Sequence, residues 1–226
     1  RQGMRYTNLS VELPPEFETA TRMFATLRDH DFLLHHPYDT FETYIEWIRK
    51  SAQDPDVEMI EMTIYRMDRT SPLIEVLKSA AKHKKVKVII ELRARFDEFN
   101  NLRLADELRK EGVEVAFGFG KLKLHAKITL VSRKENGIMR LYTHLSTGNY
   151  NATTARAYTD MAVITSHPEI GADARHFFDA AFQGRVPNRF KRLVSAPTRM
   201  HQRLLNHIHA ETEAARRGEK TRIVAK

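Results

Sequence analysis

His125 stands in the stretch KLKLHAK, residues 121–127, with Lys123 two positions before it and Lys127 two positions after. Lys121 extends the series, and Leu122, Leu124, Ala126, Ile128 and Leu130 fill the alternate positions. That period of two predicts a strand with one apolar face and one face carrying three lysines around an imidazole. A neutral imidazole titrates near pH 7 and can attack phosphorus and later release it. A phosphoryl group in transit spreads negative charge over its oxygens. Fixed cations stabilise it, arginine best because its planar fork grips two oxygens at once. Arg66 and Arg95 complete that inventory, and the loop STGNYN (146–151) adds backbone amides with Asn149 and Asn151 to orient anionic oxygens or a neighbouring side chain. Each residue alone has a plainer reading. His125 could be a hydrogen-bonded structural histidine, and the arginines could pair with Asp68, Asp97 or Glu98. STGNYN could be only a turn, and Tyr158 could belong to the core. Their convergence on one edge is what favours chemistry.

The surrounding elements predict that convergence. DTFETYIEWIRKSAQ (39–53) has helical periodicity, with Asp39 and Glu42 resembling a capping box. Strand patterns at 57–65, 86–92 and 113–117 alternate with helical patterns at 71–85 and 100–112, with Pro72 in a first turn and Gly112 as a stop. This β-α-β-α-β order predicts a mixed, mainly parallel sheet flanked by helices, an α/β fold. Right-handed crossovers put the ends of the three strands on one edge, where ligands of open α/β sheets bind. A short Gly-containing loop then predicts an antiparallel return at 125–132, a turn at RKENG (133–137), strands at 138–145 and 158–166, and helices at about 168–182 and 198–216. His125, the ends of the first strands, STGNYN and Tyr158 all fall on that edge.

The whole chain has 226 residues, of which 42% are hydrophobic, a composition that argues against disorder. It has no cysteine, which excludes disulfides, thiolate zinc sites and thiol catalysis. His35-His36 is not read as a metal pair, because neighbours on an extended segment face opposite ways. No apolar run approaches the ~20 residues of a membrane span, and RQGMRYTN lacks the apolar core of a signal peptide. A cytoplasmic location is the default, with a peripheral position at a membrane left open. Lysine and arginine number 37 against 29 acidic residues, giving +8, which points to an anionic partner such as nucleic acid, nucleotide, polyphosphate or an acidic membrane surface.

LLHHPYDTFE (33–42), IYR (64–66), ELRARFDE (91–98), LKLHAK (122–127), HLSTGNYN (144–151) and ARAYTD (155–160), in that order, resemble the polyphosphate kinase family of long-chain polyphosphate synthases. The resemblance runs from about residue 20 to the end. It implies a catalytic region built like two phospholipase D-type halves, of which this chain carries the first. In the lipase and nuclease members of that group an Asp follows the His-x-Lys lysine after four residues; here that position is Ser132. The kinase family also lacks that Asp. The resemblance puts the phosphorylated histidine at His125, the magnesium- and phosphate-contacting arginines at Arg66 and Arg95, and the tyrosine near the nucleotide base at Tyr158. The reaction it implies is reversible transfer of the terminal phosphate of ATP to inorganic polyphosphate through a phosphohistidine, with Mg2+. FGKLKLH (119–125) is more basic than the approach usual in the family.

Three further expectations follow. Residues 1–30 are the tail of a preceding domain, 31–190 the catalytic half, and 191–226 a helical connection toward a second half. The chain is an excised fragment, inactive as a kinase alone, because one wall of the site comes from that second half. The face that should meet it is expected to favour self-association. A phospholipase D-like phosphodiesterase and a non-catalytic polyanion-binding module are the competing readings.

Overall fold

A computed structural model describes residues 12–68, 70–94, 97–120 and 122–224. Its centre is a seven-stranded sheet in the order β1-β7-β6-β5-β2-β3-β4, formed by Phe32–His36 (β1), Val57–Ile64 (β2), Lys85–Ile90 (β3), Glu114–Phe117 (β4), Lys127–Glu135 (β5), Ile138–Ser146 (β6) and Asp160–Thr165 (β7). The helices are Ala20–Asp29 (α1), Glu42–Gln53 (α2), Pro72–Ala81 (α3), Glu98–Lys110 (α4), Ala152–Ala155 (α5), Pro168–Phe182 (α6) and Met200–Arg216 (α7).

The sheet is mixed, as expected, but its balance differs from the expected mainly parallel one. Only β2–β3 and β3–β4 are parallel; β2–β5, β5–β6, β6–β7 and β1–β7 are antiparallel. Connection length is the cause. Parallel neighbours need a crossover, and only α3 and α4 supply one. β5 and β6 are joined by Asn136-Gly137, with φ of 50° and 83°, the left-handed pair that a two-residue hairpin turn requires. β1, absent from the sequence reading, adds a further antiparallel edge.

Alternation sorts the side chains into two layers. Val86, Val88 and Ile90 of β3 face a core shared with α1 to α4, where Trp47, Tyr44, Phe24 and Leu77 are almost fully buried. Ile89 of β3 and Ile128 and Leu130 of β5 face the other way, onto Ala174, Phe177 and Phe178 of α6. Residues 20–29, expected to be a tail, form α1, whose Met23, Phe24 and Leu27 belong to the first core.

Helix starts follow local chemistry. Ser71 Oγ accepts from Leu73 N–H at 3.4 Å ahead of Pro72, and His167 Nδ1 accepts from Glu169 N–H at 3.2 Å ahead of Pro168. The expected capping box at Asp39 and Glu42 does not form. Asp39 instead accepts from His35 N–H at 2.7 Å, and α2 begins at Glu42. The carboxylate was recruited by the turn after β1, which competes for the same short side chain.

α6 packs unusually close to the sheet. A Cβ on Gly171 would lie 2.7 Å from Leu141 Cβ on β6, closer than atoms approach without movement. We predict that Gly171→Val pushes α6 off β6 and costs about 1–3 kcal/mol. Urea denaturation checks this, and an unchanged midpoint would contradict it.

Candidate active site

β2 and β3 end at one edge of the sheet, and the residues that follow them are tied together before any ligand arrives. The tie is Glu91, 3% exposed at the end of β3. Its Oε1 accepts from Arg93 N–H at 2.7 Å, and its Oε2 accepts from Leu124 N–H at 2.5 Å. One buried carboxylate thus holds the loop after β3 and the approach to His125 in a single frame. Such a charge is tolerated because both oxygens are hydrogen-bonded. Gly118 fits beside it: an added Cβ would stand 3.1 Å from both Glu91 Oε2 and Leu124 Cβ. Asn101 of α4 closes the frame, its Nδ2 donating to Tyr65 O at 3.1 Å and Glu91 O at 2.8 Å.

This anchoring changes the reading of the first lysine-rich stretch. The strand starts only at Lys127, and residues 122–126 are irregular. The alternation breaks there, since Ala126 is exposed and Lys127 is buried. Leu124 N–H is held by the Glu91 carboxylate instead of by a ladder partner. The result is a closer cluster than a flat strand face would give. Lys127 Nζ lies 2.9 Å from His125 Nε2 and donates to His125 O at 2.7 Å. Tyr65 stands edge-on to the imidazole at 4.7 Å between centroids. Lys127 Nζ and Arg66 Cζ lie 5.4 and 5.6 Å from the centre of the Tyr65 ring, within cation–π range.

Burial, then Lys127, Lys123 and Arg66, hold the His125 imidazole below its usual pKa, so it is neutral at physiological pH. Burial also brings the Lys127 ammonium down to about 8, with Asp160 pulling the other way. An ammonium has three donors and no acceptor. Below about pH 8, therefore, Lys127 donates to His125 Nε2, and the imidazole proton resides on Nδ1.

Of the other expected residues, Arg66 joins this cluster, its Nε 3.0 Å from Asp97 Oδ2. Arg95 and Lys121 lie outside the described residues. Asn151 is engaged internally: its Oδ1 accepts from Thr154 N–H at 2.8 Å to cap α5, and its Nδ2 donates to Asp68 Oδ1 at 2.7 Å. That bond ties the loop after β2 to the STGNYN loop. Asn149 is partly buried, and its Oδ1 has no hydrogen-bond partner among the described residues. Tyr158 is 64% exposed and makes no ring contact or side-chain hydrogen bond with the His125 group among the described residues. The sequence reading gave no role to Glu91, Asn101 or the Tyr65 ring. An acidic residue ending the apolar run VKVII was the available signal for Glu91.

The STGNYN loop is anchored from below. Tyr150 stacks on Tyr44 at 4.6 Å, receives a bond from Thr129 Oγ1 at 3.0 Å, and meets His144 Nδ1 at 3.2 Å. His144 is 1% exposed, and its Nε2 has no partner among the described residues.

Beside His125 opens a cavity of about 450 Å³, with Lys123 and Lys127 on one wall and Phe119, Phe177, Phe190 and Met200 among its apolar lining. The Mg2+ implied by resemblance finds no cage of protein donors here. Arginine has no lone pair for a metal, and no group of three His, Asp or Glu side chains among the described residues is placed to hold one. No helix among them is long and apolar enough to cross a membrane.

The fold is the phospholipase D type. NucT from Helicobacter pylori matches with a TM-score of 0.55 at 13% identity, covering 70% of this chain and 98% of its own. The phospholipase D family member Nuc from Salmonella typhimurium matches with a TM-score of 0.51 at 12% identity, covering 73% and 99%. At such identities the likeness is one of fold.

Sequence narrows it further. Residues 22–185 match the model of polyphosphate kinase C-terminal domain 1. The polyphosphate kinase of Parasynechococcus marenigrum is 42% identical over 94% of this chain, and that of Bacillus anthracis 40% over 98%. The crystal structure of polyphosphate kinase from Porphyromonas gingivalis matches with a TM-score of 0.80 at 37% identity, covering 92% of this chain and 35% of that one. The chain belongs to the polyphosphate kinase family. It spans about a third of the length of these curated relatives, covering 30% and 32% of the two just named.

His144 generates a pH prediction. Burial, with His36 adding to it, lowers its pKa from 6.5 to about 3. Below about pH 6.5 the unfolded chain takes up a proton that the folded chain refuses, so stability falls as pH drops from there toward 3. The loss is on the order of a few kcal/mol. Urea midpoints at pH 7, 5 and 4 should fall less steeply in His144→Gln than in the unaltered chain. Parallel slopes would contradict the assignment.

Proposed function

We propose that this chain is the first catalytic half of a polyphosphate kinase, comprising the unit up to about residue 190, with 191–226 leading toward a second half. In this reading His125 Nε2 attacks the terminal phosphorus of ATP. The N–P bond forms, the bond from phosphorus to the bridging oxygen breaks, and ADP departs with the electron pair. A terminal oxygen of polyphosphate then attacks the phosphohistidine, and the imidazole leaves. The observation that carries this reading is the contact of His125 Nε2 with Lys127 Nζ at 2.9 Å, at an imidazole whose pKa burial and the neighbouring cations lower. Before reaction Lys127 occupies the Nε2 lone pair. An arriving phosphate oxygen is a better acceptor for the ammonium, so substrate itself releases the nucleophile. Arg66 and Lys123 add charge for the equatorial oxygens.

Mg2+, carried on nucleotide phosphates and not in a protein cage, would neutralise part of the phosphate charge. Arg95 is proposed to act beside Arg66, and Tyr158 to meet the nucleotide base. Asn149 Oδ1, a buried acceptor, suits a donor brought to the loop. Ser132, which stands where the lipase and nuclease members carry an Asp, is 1% exposed and accepts a bond from Arg175, itself paired with Glu61 at 2.7 Å. That arrangement supports kinase over phosphodiesterase. The chain alone should lack kinase turnover, since transfer needs in-line donor and acceptor in a water-excluded site. The second half would supply the facing wall. A cytoplasmic setting and self-association through the face meant for that half complete the proposal.

The test is labelling of the longer protein with ATP and Mg2+, followed by mass spectrometry under alkaline conditions. Acid-labile phosphate should appear on His125 and vanish in His125→Ala. Arg66→Ala should lower turnover by on the order of a hundredfold, with Lys restoring it only in part because it lacks the fork. Normal labelling of His125→Ala would remove the proposed nucleophile.

A further inference from the structure

A second cavity, about 270 Å³, lies against the first and shares Phe190, Leu193, Val194 and Ser195 with it. Its lining includes Lys191, Arg192, Arg199 and Arg203, with Gln202 and Asn206, and no carboxylate. Arg192 is paired with Glu169 at 2.6 Å. No carboxylate among the described residues pairs with Lys191, Arg199 or Arg203. Glu169 also acts on Lys191 at longer range, but Arg199 and Arg203 line the hollow with no ion-pair partner among the described residues, and cations so placed repel one another, an arrangement that an anion relieves. The helix geometry adds to the field. α7 starts at this cavity with Arg199 as its N-cap, no side-chain cap, and no acidic residue in its first turn. Its positive end is therefore uncompensated.

The cavity wall is anchored. Asp173 of α6, 4% exposed, accepts from the backbone N–H groups of Lys191, Arg192 and Leu193 at 2.9, 2.7 and 2.9 Å. Ser195 O accepts from Arg199 N–H at 3.1 Å and Met200 N–H at 3.2 Å. The segment between the two hollows is thus fastened at both ends, and the cations stand on a fixed wall.

We propose that this second cavity is an outer subsite for inorganic polyphosphate, gripping phosphates of the polymer distant from the one that reacts at His125. The naming of the polymer rests on the function proposed above; the cation-lined hollow does not. A short chain reaches the His125 group alone. A long one passes the Phe190–Ser195 wall and gains the second set of contacts. The site therefore favours long polymers over short ones, whereas a general positive charge would favour any polyanion.

The experiment measures binding of tripolyphosphate and of long-chain polyphosphate to this chain by calorimetry across a salt series. Arg199 and Arg203 are exposed, so Arg199→Gln with Arg203→Gln leaves the core intact. Lys82→Gln with Lys110→Gln removes equal charge at the opposite edge of the sheet, where α3 and α4 end. The Arg199/Arg203 double variant should bind long polyphosphate on the order of tenfold more weakly, with a salt slope reduced by about 1–2, while tripolyphosphate binding is unchanged. The Lys82/Lys110 pair should leave both nearly unaltered. Equal losses in the two variants would overturn the subsite, as would unchanged binding in the Arg199/Arg203 variant. Single-stranded DNA of matched charge that competes as well as long polyphosphate would overturn the assignment to that polymer. A longer protein that fails to label at His125 would defeat the proposed function, while these binding arms would still judge the cavity.

Discussion

Glu91 is the constraint on which the site depends. Its buried carboxylate binds two backbone N–H groups from separate loops, and the sheet edge would otherwise present those loops as independent, mobile segments. With Asn101 bridging Tyr65 O and Glu91 O, and Asp68 reaching Asn151, the loops after β2, β3 and β6 and the approach to β5 form one framework. A phosphoryl-transfer site needs that rigidity, because its catalysis consists mainly of positioning and fixed charge. Removing the carboxylate would leave the buried Leu124 N–H unpaired, at about 1–3 kcal/mol, would free the part-buried Arg93 N–H, and would release His125 from its neighbours.

Within that framework the cations serve two purposes with one arrangement. They create a potential that attracts phosphate, and together with burial, the larger cause, the same potential lowers the imidazole pKa. A nucleophile surrounded by carboxylates would instead be held in the protonated, non-nucleophilic form. Burial also brings Lys127 down to about 8. A group so poised gives up or takes a proton more readily than an exposed lysine and stays responsive to incoming charge. Tyr65 supports the arrangement from the side, its ring within cation–π range of both Lys127 and Arg66.

Much of this was legible in the sequence, and what was not has physical causes. The order of strands and helices from 57 to 182 follows from periodicity, because each helix spans several turns and each strand has a clear apolar face. β1 was missed because FLLHH is short and its pairing partner, β7, lies more than a hundred residues away. The sheet was expected to be mainly parallel because crossover helices are visible in a sequence, whereas antiparallel returns leave only short loops. The cluster of His125, Lys127 and Arg66 was found from residue type and position. Its geometry was not, since the alternation of KLKLHAK suggested a strand where Glu91 imposes an irregular approach. Asn151 illustrates the same limit: its residue type suits either an anionic oxygen or a neighbouring side chain, and the fold gives it a helix cap and Asp68.

In the proposed function His125 is a neutral nucleophile whose Nε2 is held by Lys127 until substrate arrives. Nitrogen-15 NMR of the histidine rings, titrated from pH 5 to 9, tests it most directly. His125 is expected to carry its proton on Nδ1, with Nε2 unprotonated and hydrogen-bonded to Lys127, and its ring to titrate below 6.5. A second inflection in the Nε2 shift is expected near pH 8 as Lys127 loses its proton, absent in Lys127→Met. A His125 that titrates above 6.5, or that carries its neutral-state proton on Nε2, would contradict it.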